Sequence, residues 1–390
     1  MLEKALSGSK KYWTWIFILL VFIGIGTVNY LRQFQTGLTI TGLSRDVSWG
    51  LYIGQFTFLV GVAASGVMLV LPYYLHNFKQ FAKITILGEF LAVSAVTMCM
   101  LFIFVDMGQP MRVMNVLLYP TPNSVMFWDA MVLSGYLALN IFIGWIVLGS
   151  DKKGIAPPKW IKPVIYLSIA WAPLIHTVTA FLYAGIPGRH FWLTAIMAAR
   201  FLASAFSGGP ALLIILALII RKTTKFDPGK EAIQTLGKIV TYFMITNVFF
   251  LGLEFFTAFY SNIPGHMHPF QYLFAGIGEY NKLVPLMWTS VILAIASIAL
   301  LIFPAVRRNE STLAIACAMV FISLWIDKGF GLIIGGFVPN MFEKVTEYWP
   351  TLPETLISIG VWAVGFLVLT ILYKIAITVR EETAGVEIEH

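Results

Sequence analysis

Residues 50–75 read GLYIGQFTFLVGVAASGVMLVLPYYL, a run without a single charged side chain. A helix needs about 20 mostly apolar residues to cross the hydrocarbon of a bilayer. Inside that layer the backbone has no water to bond, so an apolar run of this length reads as a spanning helix. Working outward, comparable runs recur at roughly 13–31, 84–105, 127–149, 161–183, 196–220, 238–261, 284–304, 311–336 and 355–378, which makes about ten spans. Composition agrees: hydrophobic residues are 58% and charged residues 12% of the chain, where a soluble domain carries roughly a quarter charged residues. The first run lacks a small-residue cleavage site and is followed by Asn29, Tyr30 and Arg32, so it reads as a span and not as a signal peptide. The expected fold is all-α, a polytopic integral membrane protein whose single transmembrane domain covers 1–390.

Orientation follows from Lys and Arg, which are enriched in cytoplasmic loops. Of the 26 such residues, eighteen fall on the side of the N-terminus, seven on the other side, and Lys328 lies within a span. Both termini are therefore expected in the cytoplasm, in a multi-pass cytoplasmic (inner) membrane protein. The net charge of +7 is accounted for by topology and implies lipid, not nucleic acid, as the charged partner.

Several chemistries lack their ligands. Cys99 and Cys317 lie in different spans, so neither a disulfide framework nor an iron–sulfur ligand set is expected. The chain has no phosphate-cradling GxxxxGK[ST] loop and no HExxH helix. Only His176 of the six histidines lies in a span, which argues against an intramembrane bis-histidine haem; a haem near the outer surface on His266 or His268 stays open.

An ionisable group at the centre of a span costs roughly 2.5–3.5 kcal/mol on insertion scales, so each requires a reason. With the termini inside, Asp106 closes the third span at the outer surface, Arg112 follows it, and Asp129 opens the fourth span. His176, Arg200, Glu254, Asp327 and Lys328 also fall in the outer half; only Glu89 lies in the inner leaflet. Such an outer cluster suits a protein that gives protons to a quinone or takes them from it, and it suits a transporter equally. Asp106 and Asp129 are also close enough to span ends to be solvated or capping groups, and Arg112 is in reach of Asp106. Asp327 and Lys328 are adjacent and point about 100° apart, so each is expected to meet a partner on another helix. His176 and Glu254 are deep and without an opposite charge in their own helices. Glu89 is expected to snorkel to the cytoplasm, or else to start a proton route. Gly54, Gly61 and Ser65 form a small-residue face for close packing, and SGGP at 207–210 is expected to kink the sixth span.

Longer motifs carry a resemblance. TGLSRDVSWGLYIGQFTFLVGVAASGVMLVLPYYLH (41–76), DMGQPMRVMNVLLYPTPNSVMFWD (106–129), HTVTAF (176–181), FLASAFSGG (201–209) and LWIDKGFGLIIGGFVPN (324–340) resemble the NrfD/PsrC-type family, the membrane subunits of the polysulfide reductase type. The last segment resembles the branch of sulfur-metabolising prokaryotes that holds the DsrP subunit of the DsrMKJOP complex. Gly108-Gln109-Pro110 stands where that family has Gly-Arg-Pro. The resemblance implies two four-helix bundles, helices 2–5 (about 50–183) and 6–9 (about 196–336), flanked by helices 1 and 10. It implies a quinone-reactive subunit without haem or iron–sulfur cluster of its own, binding menaquinone or another quinone near the outer face. Its partners would be an extracytoplasmic ferredoxin-like iron–sulfur subunit and other membrane and cytochrome subunits. Asp129, Asp106, His176, Ser124 and Trp128 would line the site, with Arg112 and Glu254 beside it, and Glu89, Glu254, Asp327 and Lys328 would serve a proton path. A secondary transporter with a midplane site, or a passive anchor, remains the rival reading.

The topology is directly testable. Reporter fusions after residue 154 or 226 should read as cytoplasmic and fusions near 268 or 346 as extracytoplasmic; a cytoplasmic signal at 268 would reverse every depth assigned above.

Overall fold

The computed structural model describes residues 1–76 and 78–383. Among them ten helices are long and apolar enough to cross a membrane: α1 (Lys10–Ile40), α2 (Leu51–His76), α3 (Thr85–Asp106), α4 (Val125–Lys153), α5 (Ile161–Ala184), α6 (Met197–Thr223), α7 (Lys230–Tyr260), α8 (Val284–Ile302), α9 (Glu310–Gly335) and α10 (Leu352–Thr383). An isolated bridge between Ile277 and Tyr280 is the only β pairing among the described residues. The all-α, polytopic expectation therefore holds. Helices run past the hydropathic runs that announce them: α7 begins at Lys230, ahead of the expected 238, because the helical hydrogen bonds continue through polar turns beyond the hydrocarbon.

Local chemistry sets the ends. Asn309 caps α9, its side chain accepting from the amides of Ser311 and Thr312 at 3.0 and 3.2 Å. Gly154 takes the left-handed conformation (φ 65°) that closes α4. Within the spans, hydroxyls turn back on their own helices; Thr57, Thr85 and Thr97 each donate to the carbonyl four residues earlier, which spares a lone donor in hydrocarbon.

Spans α2, α3, α6 and α9 are central, and α1, α7 and α8 are mostly exposed on their apolar stretches. Helix α2 touches α3, α5, α6 and α9; α6 touches α7 and α9; α8 lies against α7 and α9; α10 lies against α3 and carries α1 along its length. The face bearing both residue 10 and residue 383 is called here the terminus face. The far face carries the connections 41–50, 107–124, 185–196, 261–283 and 336–351, including the helix Pro264–Phe274.

The small-residue face of α2 works at three levels. A Cβ on Gly54 would stand 2.1 Å from the Gly329 carbonyl oxygen of α9, one on Gly61 would stand 3.3 Å from His176, and Ser65 faces Gly209 of α6. The kink expected at Ser207–Pro210 is not a break: α6 runs unbroken from Met197 to Thr223 through Pro210. It is α2 that divides, into Leu51–Ala64 and Val67–His76, and Gly209 supplies the room, since a Cβ there would lie 2.1 Å from that of Ser65. Helix α9 widens into a π-helix over Trp325–Leu332, where it meets Gly54; such widenings recur at functional sites.

Overpacking the α2–α9 contact should therefore be costly. Gly54→Ala should lower the thermal unfolding midpoint in detergent, at a cost of about 1–3 kcal/mol. Gly24→Ala, at a position with nothing within 4 Å of the added carbon, should leave the midpoint unchanged or raise it.

Candidate functional site

The residue that organises the far half of the protein is Arg200, near the start of α6 and 5% exposed. Its Nη2 donates to Asp327 of α9, 2.8 Å from both carboxylate oxygens. Its Nη1 donates to Oε2 of Glu254 on α7. One guanidinium thus ties three helices together, which a planar fork of donors does and an ammonium does not. Lys328 follows Asp327 in the π segment and is likewise buried. It has no carboxylate within salt-bridge reach among the described residues; Nζ lies 3.4 Å from the Phe201 carbonyl oxygen, 3.9 Å from the Phe201 ring centroid and 3.2 Å from Nε2 of His176. Arg200, Glu254 and Asp327 each meet an opposite charge, the condition under which burial in hydrocarbon is tolerable.

His176 on α5 is fully buried. Its Nε2 is 2.7 Å from the Phe201 carbonyl oxygen, and a carbonyl can only accept, so Nε2 carries the proton and donates. Lys328 then shares that carbonyl and does not bond the ring. The other ring nitrogen, Nδ1, is buried without a partner among the described residues. Asp327 and Lys328 have thus each found a partner on another helix, as their divergent directions require.

The other sequence candidates fall into separate places. Asp129 of α4 is buried and accepts from Thr179 of α5 at 2.6 Å; beside it, Tyr183 of α5 shares a hydrogen bond with Thr57 of α2. Asp106, at the end of α3, keeps Oδ1 buried and unpartnered among the described residues. Ser124 precedes α4 at the far face. Trp128 is half exposed and donates to the Pro122 carbonyl at 2.8 Å, and Arg112 is exposed, without an ion pair to Asp106 among the described residues. Glu89 does not snorkel. It is 4% exposed, with Oε2 unpartnered among the described residues, in a cavity of about 30 Å³ lined also by Tyr73, Tyr74, Asp151 and Arg380. Arg380 lines that cavity on the terminus face, donating to Asp151 at 3.2 Å and to the Lys83 carbonyl at 2.6 Å.

Two features lie beyond a reading of the sequence. Arg200 falls within the expected sixth span, but its two carboxylate partners, on α7 and α9, have no signal in the sequence. Glu354 of α10 accepts from the Tyr348 hydroxyl and from the Gly42 amide, the latter at 3.0 Å, a knot that nothing in the local sequence announces. Burial, and the Glu354 carboxylate after it, push the Tyr348 phenol above its ordinary range. Among the histidines held open for a haem, His268 pairs with Glu343 at 2.5 Å, and His266 lies parallel to His190 with ring centres 6.4 Å apart.

Comparison with known proteins bears on all of this. The family model described as polysulphide reductase, NrfD, matches residues 39–340. The chain is 26% identical to a putative dimethyl sulfoxide reductase membrane subunit of Halobacterium salinarum, over 92% of this chain and 89% of that one. It is 21% identical to the Hdr-like menaquinol oxidoreductase integral membrane subunit of Archaeoglobus fulgidus, over 99% and 98% of the two chains. A menaquinone reductase integral membrane subunit of Nitratidesulfovibrio vulgaris is also 21% identical, over 94% and 91%.

The cluster makes a sharp stability prediction. Arg200→Met strands two buried carboxylates and should destabilise the detergent-solubilised protein by about 3–5 kcal/mol, read as a lowered unfolding midpoint. Adding Glu254→Gln and Asp327→Asn to Arg200→Met should recover part of that loss; no recovery would mean that packing, not charge, sets the cost.

Proposed function

Because the chain belongs to the polysulphide reductase NrfD family, we propose that it is the quinone-reactive membrane subunit of a respiratory redox complex, exchanging electrons between menaquinone or menaquinol and a partner protein. The observation that carries this reading is the buried line Glu254–Arg200–Asp327 with Lys328 and His176 beside it, in the half of the membrane away from the termini. Quinol oxidation releases two electrons and two protons, and a pocket bordered by compensated, hydrogen-bonded ionisable groups can accept the protons without stranding a charge. Relatives named as menaquinol oxidoreductase and menaquinone reductase membrane subunits support the same substrate.

On this reading the termini face the cytoplasm of a bacterial or archaeal inner membrane, as the Lys and Arg distribution supports. The electron partner is an extracytoplasmic ferredoxin-like iron–sulfur subunit on the far face, in a complex with further membrane and cytochrome subunits that serves sulfur or sulfate metabolism. His176, Asp129, Asp106 and Glu254 handle the protons of the reaction, and Ser124, Trp128 and Arg112 border the approach from the far face. Glu89, Glu254, Asp327 and Lys328 are stepping stones of a proton path toward the terminus face. The closed circuits of contact α2–α3–α4–α5 and α6–α7–α8–α9 support two four-helix bundles, with α1 and α10 outside them.

The test is copurification. Complex isolated with its native lipids should yield bound quinone on organic extraction and should oxidise or reduce a menaquinone analogue. His176→Ala should insert normally and lower that turnover by about tenfold or more. A complex without extractable quinone and without turnover would refute the reading.

A further inference from the structure

At the terminus face the start of α7 lies beside the end of α8, and the turn after α8 lays an arginine between them. Arg307, in the short helix Pro304–Arg307, reaches back and donates from Nη1 to the Leu301 carbonyl of α8 at 2.8 Å. Its stem lies against α7 at Gly237, with Cδ 3.4 Å from where a Cβ on that glycine would stand. Gln234, one turn earlier on α7, donates toward the carbonyls of Arg307 and Arg308 at 3.4 and 3.5 Å. The guanidinium is thus held between two spans and half-buried, with a single nitrogen engaged. Nε and Nη2 have no partner among the described residues, and neither is sealed from solvent.

Two more cations stand at the same corner. Arg308 is the next residue, and Lys238 lies one turn along α7 from Gln234, on the same face of the helix; both are exposed. No carboxylate among the described residues comes within salt-bridge reach of the three. Glu310, two residues beyond Arg308, is held by Arg221 of α6. Elsewhere on this face the cations are answered, Lys4 by Glu382 and Arg380 by Asp151. Below the three cations the surface is apolar. Tyr242 and Ile245, one and two turns deeper than Lys238 on its face of α7, are exposed, as are Ile302 and Phe303 where α8 ends. A soluble anion would meet the cations and leave this surface unused, whereas a phospholipid matches both levels.

We propose that this corner between α7 and α8 seats an anionic phospholipid. Its phosphate accepts from the unengaged nitrogens of Arg307, with Lys238 and Arg308 beside it, and its acyl chains run along Tyr242, Ile245, Ile302 and Phe303. The planar fork of an arginine suits a phosphate, and basic pockets between spans recognise anionic head groups. The assignment is independent of the quinone reading, since it concerns the opposite face and no group assigned to proton or electron transfer.

Native mass spectrometry of the full chain in detergent tests it, with dioleoyl phosphatidylglycerol, dioleoyl phosphatidylcholine and inorganic phosphate as probes. The wild type should bind phosphatidylglycerol more tightly than phosphatidylcholine. Lys238 and Arg308 are exposed, so their substitution spares the fold, and Arg307, which also holds Leu301, is left in place. Lys238→Gln and Arg308→Gln should each weaken phosphatidylglycerol binding about fivefold, the effect of one basic residue beside an anionic lipid. Lys159→Gln removes the same charge from an exposed position of the same face, away from this corner, and should leave binding unchanged. An equal loss in Lys159→Gln would reduce the seat to general attraction by a basic face and overturn the proposal. Phosphatidylcholine bound as tightly as phosphatidylglycerol would also overturn it. So would displacement of phosphatidylglycerol by inorganic phosphate, because the ligand would then be a soluble anion.

Discussion

A guanidinium cannot shed its proton at any pH the cell meets, and Arg200 brings one into the apolar part of a membrane protein. Much of the far half of the structure follows from that constraint. Two carboxylates are needed because Arg200 presents donors in two directions, and they come from different helices, Glu254 of α7 and Asp327 of α9. Lys328, the next residue of α9, lies outside this ion cluster, against the Phe201 carbonyl. Asp327 and Lys328 thus serve different groups of α6, the Arg200 guanidinium and the Phe201 carbonyl. A buried cluster of this kind is weak as a source of stability and strong as a source of specificity in packing, since any other arrangement of α6, α7 and α9 leaves a charge alone.

The cluster depends in turn on α2. Where α9 widens into its π segment, the backbone of Gly329 comes against Gly54, and His176 sits against Gly61. Side chains at those two positions would press on the Gly329 backbone of α9 and on the His176 ring of α5. Further along the same face, Ser65 and Gly209 let α2 bend against α6. Small residues on one face of α2 thus let α9, α5 and α6 approach it closely, with van der Waals contact, not charge, setting the spacing.

Function, on the reading proposed here, uses what the cluster leaves unsatisfied. Arg200 engages one oxygen of Glu254 and leaves the other buried with no partner among the described residues. Polar groups that are fully paired hold the fold; those that are buried and unpaired among the described residues, Glu254 Oε1, His176 Nδ1 and Glu89 Oε2 among them, carry an energetic cost that a ligand or a proton can relieve. Their separation, with Glu89 near the terminus face and the other two near the far face, sets the distance over which protons would have to move for electron transfer to be coupled to a gradient.

The sequence by itself determined the class of the protein, the number of spans and the residues that needed explanation. Hydrophobicity over about twenty residues is a local property, and the cost of an intramembrane charge does not depend on knowing its partner. That is why residues 50–75 could be read without a structure, and why His176, Glu254, Asp327 and Lys328 stood out in advance. The motifs also carried the family, which the match over residues 39–340 bears out. Tertiary structure alone decided the partners. The sequence puts Arg200 in the sixth span but not beside Glu254 and Asp327, Glu89 reads as able to reach water but lies buried in a cavity that Arg380 of α10 also lines, and Gly209 of α6 lies against Ser65, where α2 divides. Each of these turns on side chains far apart in sequence meeting within a few ångströms, and short-range spacing holds no record of which helix lies next to which.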